Sequence, residues 1–369
     1  MKFIALNGGN SVGASCYYLK CNDINILFDC GLGYDSYKNL IQPNVTLLLS
    51  SSIESYLEIN YIFLSHAHYD HIGDLIRIAN LCKNAIIYAT GITKTLTEFS
   101  LKYNKLYEYE DDDDFQKVIN RIKIVSYNKM IHNIDGVSFY TFKAGHILGA
   151  SMFFLNIKGT TILYTGDFST EITHLTSGYS LLSSNKMKID LAIICGLHSK
   201  DKNYSRNSLV LKKCIQDINL NLIKGNNIYI STHQLTKGIE CLDFINNLIY
   251  NKKLPYKNIV LNEADYNICE KLEQFNINLI KGNVLNQINV NHENAIYINV
   301  KPKYPYSTIK LDFGIHMEYT ELVEFIERYN PKNCIIVHFL DNYKMECLKY
   351  DFPNKKIVYA KNFQTIEVE

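Results

Sequence analysis

Apolar and aromatic residues come in short runs along the first half of the chain: Cys16-Tyr17-Tyr18-Leu19, Ile24 to Phe28, Tyr61 to Leu64, Ala85 to Tyr88, then residues 137–143, 152–157 and 160–164. Runs of this length, rich in aromatic and β-branched residues and bounded by polar or glycine-containing segments, predict strands. Gly159 punctuates the last two and predicts a hairpin. Between the Tyr61 and Ala85 runs the period changes. Leu75, Ile76, Ile78 and Leu81 recur at helical spacing, which predicts a helix over 72–81.

From about residue 205 strands and helices alternate. The pattern predicts a helix at 209–219, a strand at 227–231, a helix at 235–250, a strand at 257–261, a helix at 264–275 and a strand at 295–300. That order implies a small parallel α/β layer. Then come a strand at 308–312, a helix at 319–328, a strand at 333–338, a helix at 341–350 and a strand at 356–359. No repeat or low-complexity linker interrupts the series. A chain of 369 residues exceeds one typical core, so a main domain with a second module is expected.

Composition changes this picture little. Hydrophobic residues make up 47%, ordinary for a globular protein, and disorder is not indicated. A formal net charge of +1 removes the simplest argument for a basic nucleic-acid surface and leaves a local basic groove open. Asp111 to Asp114, preceded by Glu108 and Glu110, read as a solvated acidic loop. No run reaches the roughly 18 apolar residues a membrane span needs. Gly8, Gly9 and Gly13 break up the N-terminus before a signal core can form, so no membrane association and a cytoplasmic location are expected. None of the ten cysteines forms a Cys-x-x-Cys pair, and most read as small buried hydrophobes.

The chemistry concentrates in Ser65-His66-Ala67-His68-Tyr69-Asp70-His71, directly after a predicted strand. Three of the chain's 11 histidines and a carboxylate crowd into one loop, which argues against chance. Imidazole and carboxylate suit zinc and similar borderline metals. Histidines two apart leave the strand end on one side, while Asp70 and His71 open the next helix and point elsewhere, so one loop can feed two ions. Two ions need further ligands. Ala144-Gly145-His146-Ile147-Leu148-Gly149-Ala150 supplies an imidazole between glycines, and Tyr164-Thr165-Gly166-Asp167-Phe168-Ser169 a carboxylate at a strand end. Flanking glycines allow close backbone approach.

On His66, His68, Asp70, His71, His146 and Asp167, with Asp29 in Phe28-Asp29-Cys30-Gly31, the sequence resembles the metallo-β-lactamase superfamily. The resemblance implies an α/β fold: an αββα sandwich with metals at the sheet edges and Asp29 supporting the loop and its ligands. The segments around His146 and Asp167 look like the β-CASP branch, which holds RNA 3′-end cleavage endonucleases, J-type ribonucleases and DNA end-processing nucleases. Phe313-Gly314-Ile315-His316-Met317-Glu318-Tyr319 resembles that branch's motif B, and Pro331 to His338 resembles motif C. The likeness covers nearly the whole chain except roughly 210–305.

Carried over position by position, the resemblance implies one ion on His66, His68 and His146. It implies a second on Asp70, His71 and His338, with Asp167 bridging. A water or hydroxide on the metals would be the nucleophile. Asp70 and His316 are the catalytic candidates, His316 as the acid that protonates the leaving oxygen. His338 and His316 also fit structural histidines at their positions. The two ions are expected to be zinc, with manganese and iron open. Lys237, in Thr236-Lys237-Gly238, stands where the branch often has a basic residue that contacts substrate, and equally fits an exposed helix lysine.

Three departures matter. The motif A acid is absent: the strand Asp190-Leu191-Ala192-Ile193-Ile194 runs into Cys195-Gly196, and only Asp312 and Glu318 lie near His316 in sequence. Motif C continues into Phe339 where a glycine is usual. The stretch between the matching halves is about 100 residues, short for this branch. The expected organisation is residues 1–205 and 312–369 as the sandwich, with 206–311 as a small α/β cap over the metal cleft. The expected function is cleavage of nucleic acid, single-stranded RNA ahead of DNA. The alternatives are hydrolysis of a small-molecule ester and a non-cleaving RNA- or protein-binding relative.

Overall fold

The computed structural model describes residues 1–104, 112–133, 135–184, 187–204, 208–232, 236–289, 293–303, 305–311, 316–341 and 345–369. The chain divides into two compact units, Met1–Tyr204 with Ile315–Glu369, and Ser205–Gly314.

The first unit contains two seven-stranded sheets. One runs, edge to edge, Thr365–Glu367, Lys2–Asn7, Cys16–Cys21, Ile24–Phe28, Tyr61–Phe63, Ile86–Thr90 and Ile122–Val125. The other runs Lys356–Tyr359, Asn333–Val337, Leu191–Cys195, Thr160–Tyr164, Ser151–Ile157, Val137–Lys143 and Met130–His132. Successive side chains of a strand point to opposite faces. Phe3, Tyr17, Phe28 and Phe63 therefore face inward and form one buried cluster with Phe139, Phe153, Tyr164, Ile193 and Val337 of the other sheet. The Phe63 ring centroid lies 5.0 Å from Phe139 and 4.9 Å from Phe153. The alternate residues Ile4, Tyr18, Leu27, Ile62 and Ile87 pack outward against Leu75 and Ile78 of the helix Leu75–Leu81 and Phe115 and Val118 of the helix Asp112–Arg121. Phe325 of the helix Tyr319–Tyr329 packs on Phe168 and Tyr179 beside the second sheet. Strands covered on both faces read as continuous apolar runs, which is why the sequence shows runs here and little alternation.

Parallel pairing places the site. Ile24–Phe28 runs parallel to Tyr61–Phe63, with Phe28 opposite Phe63, so Asp29 and the 65–71 loop leave the same edge. Thr160–Tyr164, Leu191–Cys195 and Asn333–Val337 are likewise mutually parallel, with Cys195 opposite Val337. Asp167, Cys195 and His338 thus emerge together at the carboxyl ends of their strands, where open α/β sheets place ligands.

The second unit has a parallel sheet in the order Val284–Asn286, Ile259–Leu261, Ile296–Ile298, Asn227–Ser231 and Tyr306–Lys310. Its helices are Ser208–Ile223, Thr236–Tyr250 and Glu263–Leu272.

Several elements differ from the sequence reading. Lys2–Asn7 is a strand, despite the glycines just beyond it, and Gly91–Asn104 is a helix. The acidic run is not simply a loop: Asp113 and Asp114 lie in the first turn of the helix Asp112–Arg121, where carboxylates complement the helix dipole. Glu108, Glu110 and Asp111 lie outside the described residues. The helix expected at 341–350 is the shorter Cys347–Asp351, and 342–344 lie outside the described residues. All ten cysteines are free; nine are buried and Cys214 is half-buried. No described helix is long and apolar enough to cross a membrane.

Candidate metal centre

Asp29 organises the loop that carries the first candidate ligands. It is fully buried, and its φ of +58° turns the chain in the left-handed region that Asp and Asn tolerate best among non-glycine residues. Oδ1 accepts the Ser65 backbone N–H at 2.7 Å, and Oδ2 accepts the Ser65 hydroxyl at 2.7 Å and the Tyr164 hydroxyl. His71 Nδ1 stands 2.7 Å from the same Oδ2. Ser65 Oγ is also 2.9 Å from His66 Nδ1, and Ser15 Oγ is 3.0 Å from His338 Nδ1. Each outer ring nitrogen of His66, His71 and His338 is thereby engaged, which turns Nε2 inward. Support of this kind fixes the tautomer and orientation of a metal-ligating histidine. His338 itself has φ +52°, and its N–H donates to the Gly8 carbonyl at 2.8 Å. Several glycines are required by contact, Gly31 and Gly166 among them. A Cβ on Gly31 would stand 1.7 Å from the Asp70 carbonyl oxygen, and one on Gly166 would stand 2.5 Å from Ser65 Cβ.

The inward atoms converge on one carboxylate oxygen. Asp167 Oδ2 lies 3.5 Å from His71 Nε2, 3.6 Å from His146 Nε2, 3.8 Å from His66 Nε2, 3.8 Å from His338 Nε2 and 3.8 Å from His316 Nδ1. His68 Nδ1 lies 3.1 Å from His66 Nε2 and 3.0 Å from His146 Nε2. Asp70 Oδ2 lies 3.8 Å from His71 Nε2 and 3.9 Å from His338 Nε2. Two groups result, His66–His68–His146–Asp167 and Asp70–His71–His338. Nitrogen and oxygen ligands about 2.0–2.1 Å from a tetrahedral ion stand about 3.3 Å from each other, so these separations suit cations between them. His71 Nε2 and Asp167 Oδ1 are buried and have no hydrogen-bond partner among the described residues. Buried atoms in that state ordinarily face an ion or water. The donor set and the geometry fit metal.

Burial, with the positive charge of His71 and His146, holds His66 well below its ordinary pKa. His71 is pushed up to about 10: burial opposes the charge, but Asp167, Asp70 and Asp29 outweigh it. Burial also opposes ionisation of Asp167, yet His338, His71, His316 and His146 keep it well below the usual carboxylate range.

The remaining sequence candidates fall as follows. His316 joins the cage, its ring centroid 4.7 Å from that of His146. Burial holds it well below its ordinary pKa, with Asp167 pulling the other way. Phe313 to Ile315 and Asp312 lie outside the described residues. Cys195 groups with Asp167 and His316, and burial together with the Asp167 charge pushes its thiol well above the usual range. Phe339, in the usual glycine's place, packs edge-on against Tyr359 under the Lys200 ammonium. Lys237 is half-buried in the helix Thr236–Tyr250 of the second unit. The sequence reading missed Ser15, Tyr164 and His198. His198 stacks on Tyr204 and stands 6.4 Å from His316, ring to ring. Only its place three residues after Cys195 could have drawn attention to it.

Residues 10–189 match the family model described as metallo-beta-lactamase superfamily. A cleavage and polyadenylation specificity factor subunit 3-I of Arabidopsis thaliana is 32% identical over 175 residues, covering 45% of this chain and 24% of that protein. Endoribonuclease YSH1 of Saccharomyces cerevisiae is 26% identical over 267 residues, 65% of this chain and 32% of the relative. A probable RNase MJ4 of Methanocaldococcus jannaschii is 30% identical over 264 residues, 69% of this chain and 58% of the relative. The matched region therefore spans about a quarter to somewhat over half the length of these relatives. A crystal structure of a protein of unknown function from Enterococcus faecalis superposes over 99% of both chains with a TM-score of 0.67 at 14% identity, a likeness of fold. With the sandwich and the matched model in agreement, the chain carries a metallo-β-lactamase superfamily domain over the matched residues 10–189.

Proposed function

We propose that this chain is a dinuclear metal-dependent phosphodiesterase that cleaves nucleic acid, single-stranded RNA ahead of DNA. His66, His68 and His146 would hold one ion and Asp70, His71 and His338 the other, with Asp167 within reach of both. Zinc suits these ligands, and manganese or iron would also be accepted. Divalent ions bound there supply an activated water and neutralise phosphate charge. The chain's own groups do the rest. Asp29, Ser65 and Ser15 keep ring nitrogens aimed inward. Asp70, at 30% exposure, is the ligand that substrate meets. His316 stands where a general acid for the leaving oxygen is needed; burial favours its neutral form, so the negative charge of a bound substrate phosphate has to favour its protonation.

The observation that carries the reading is the position of His316, a histidine from the far end of the chain, 3.8 Å from the carboxylate that joins the two ligand groups. Hydrolysis of an activated ester needs no such donor, whereas expulsion of a sugar alkoxide does. The relatives named as endoribonuclease and RNase support the same substrate class. We further propose that Lys237, in the helix Thr236–Tyr250, contacts substrate phosphate.

Rates on labelled single-stranded RNA, single-stranded DNA and a small phosphate or carboxylate ester, measured on one metal-loaded sample, test the proposal. Strand cleavage that exceeds ester turnover is expected. Robust ester turnover with no strand cleavage would overturn it. One observation favours a second reading: Cys195 leaves His316 without the motif A acid, as a non-cleaving RNA- or protein-binding relative would. RNA binding with intact metal occupancy and no cleavage identifies that case.

A further inference from the structure

We propose that Cys195, His316 and Asp167 form a third, thiolate-containing site for a borderline divalent cation such as zinc or cobalt, beside the two-ion cage. The inference rests on the reading of that cage as a metal centre. The Cys195 sulfur, a His316 ring nitrogen and an Asp167 carboxylate oxygen all lie within 4.8 Å of one another. Cys195 is held at the end of its strand: it pairs with Val337, and its backbone N–H donates to Thr165 Oγ1 at 3.0 Å. Asp167 faces the cage histidines through Oδ2, while its buried Oδ1 makes no hydrogen bond among the described residues. A carboxylate can bridge two ions through one oxygen and offer the other to a third. The His316 side chain is 23% exposed, which gives an ion a way in.

One thiolate, one imidazole and one carboxylate make a three-ligand zinc site with an open fourth position. Magnesium and calcium, which prefer all-oxygen shells, would not select it. Binding releases the thiol proton to solvent and occupies a His316 nitrogen. The replacement of an acid by cysteine therefore has a chemical consequence beyond a weakened hydrogen bond. It adds a sulfur ligand beside His316, and excess zinc bound there then withdraws the proton donor from the reaction.

Cobalt(II) titration of metal-free protein tests the proposal, because a cobalt–thiolate bond gives a near-ultraviolet charge-transfer band that nitrogen and oxygen ligands do not. Two equivalents should bind without that band, and the third should bring it in. Cys195→Ser should still bind two equivalents and show no band. Two equivalents bound with no sulfur band at any excess would overturn the third site and leave the cage intact. A band that persists in Cys195→Ser would overturn it too. No cobalt binding at all would sink the cage and this site together. Should Cys195→Ser fail to fold, zinc-edge absorption of the wild type at three equivalents replaces it. A sulfur shell near 2.3 Å that is missing at two equivalents is expected, and its absence at three equivalents would refute the site.

Discussion

Asp29→Asn removes one charge and little else. Asparagine fits the left-handed backbone at φ +58° as well as aspartate does, so the turn itself is not strained. The two carboxylate oxygens now receive Ser65 N–H, Ser65 Oγ, His71 Nδ1 and the Tyr164 hydroxyl. The amide keeps one oxygen and turns an NH2 toward donors. A hydrogen bond to a charged group contributes about 1.5–3 kcal/mol, and a buried donor left unpaired costs about 1–3 kcal/mol. The losses share one residue and do not add fully, so a total of about 3–5 kcal/mol is expected, as for breaking a buried ionic contact. His71 also loses the partner that fixes Nε2 inward, and metal affinity should fall about 10- to 100-fold. Urea unfolding of metal-free protein reads the first effect, and titration against a competing chelator reads the second. Asp23→Asn, which breaks only the exposed pair with Lys158, is the control and should change neither. A stability loss under about 1 kcal/mol together with unaltered metal affinity would refute the role given to Asp29.

Three further outcomes are expected. Metal-free protein should be most stable near pH 6.5–7: His66 and His316, held low, contribute stability above about 6.5 that is lost as pH falls, whereas the raised His71 contributes stability below it that is lost as pH rises through about 10. Thermal unfolding across pH with chelator present would show this dome, and a monotonic profile would contradict it. Phe63→Ala should cost about 3–5 kcal/mol, because it empties space between Phe139 and Phe153 at the sheet interface; urea unfolding measures it. His316→Ala should slow strand cleavage by about two to four orders of magnitude with both ions retained, and Cys195→Glu should move the alkaline limb of the pH–rate profile upward; wild-type cleavage by His316→Ala would make that histidine structural.

The clustering of the candidate ligands in the 65–71 loop was legible because its information is local. His66, His68, Asp70 and His71 share one strand end and one helical turn, and residue type and spacing decide where they point. The sandwich was legible where strands are buried on both faces, as at Ile24 to Phe28. Lys2–Asn7 escaped notice because glycines just beyond it mark a turn. Gly91–Asn104 did too, because its glycine start and several β-branched residues lower local helix preference. The support of the ligands could not be read at all. Ser15 reaches His338 across 323 positions and Tyr164 reaches Asp29 across 135, and both contacts exist only because the two sheets pack face to face. The positive φ of His338 could not be read from sequence, because histidine enters the left-handed region more often than most residues but far less reliably than glycine.

The central claim is that the buried carboxylate of Asp167 joins two ion sites. Crystals of the metal-reconstituted protein, with anomalous data collected at the metal absorption edge, test it most directly. At two equivalents of metal, two peaks are predicted against Asp167, one among His66, His68 and His146 and one among Asp70, His71 and His338. A single peak, or none, in well-folded protein grown with the metal would contradict it.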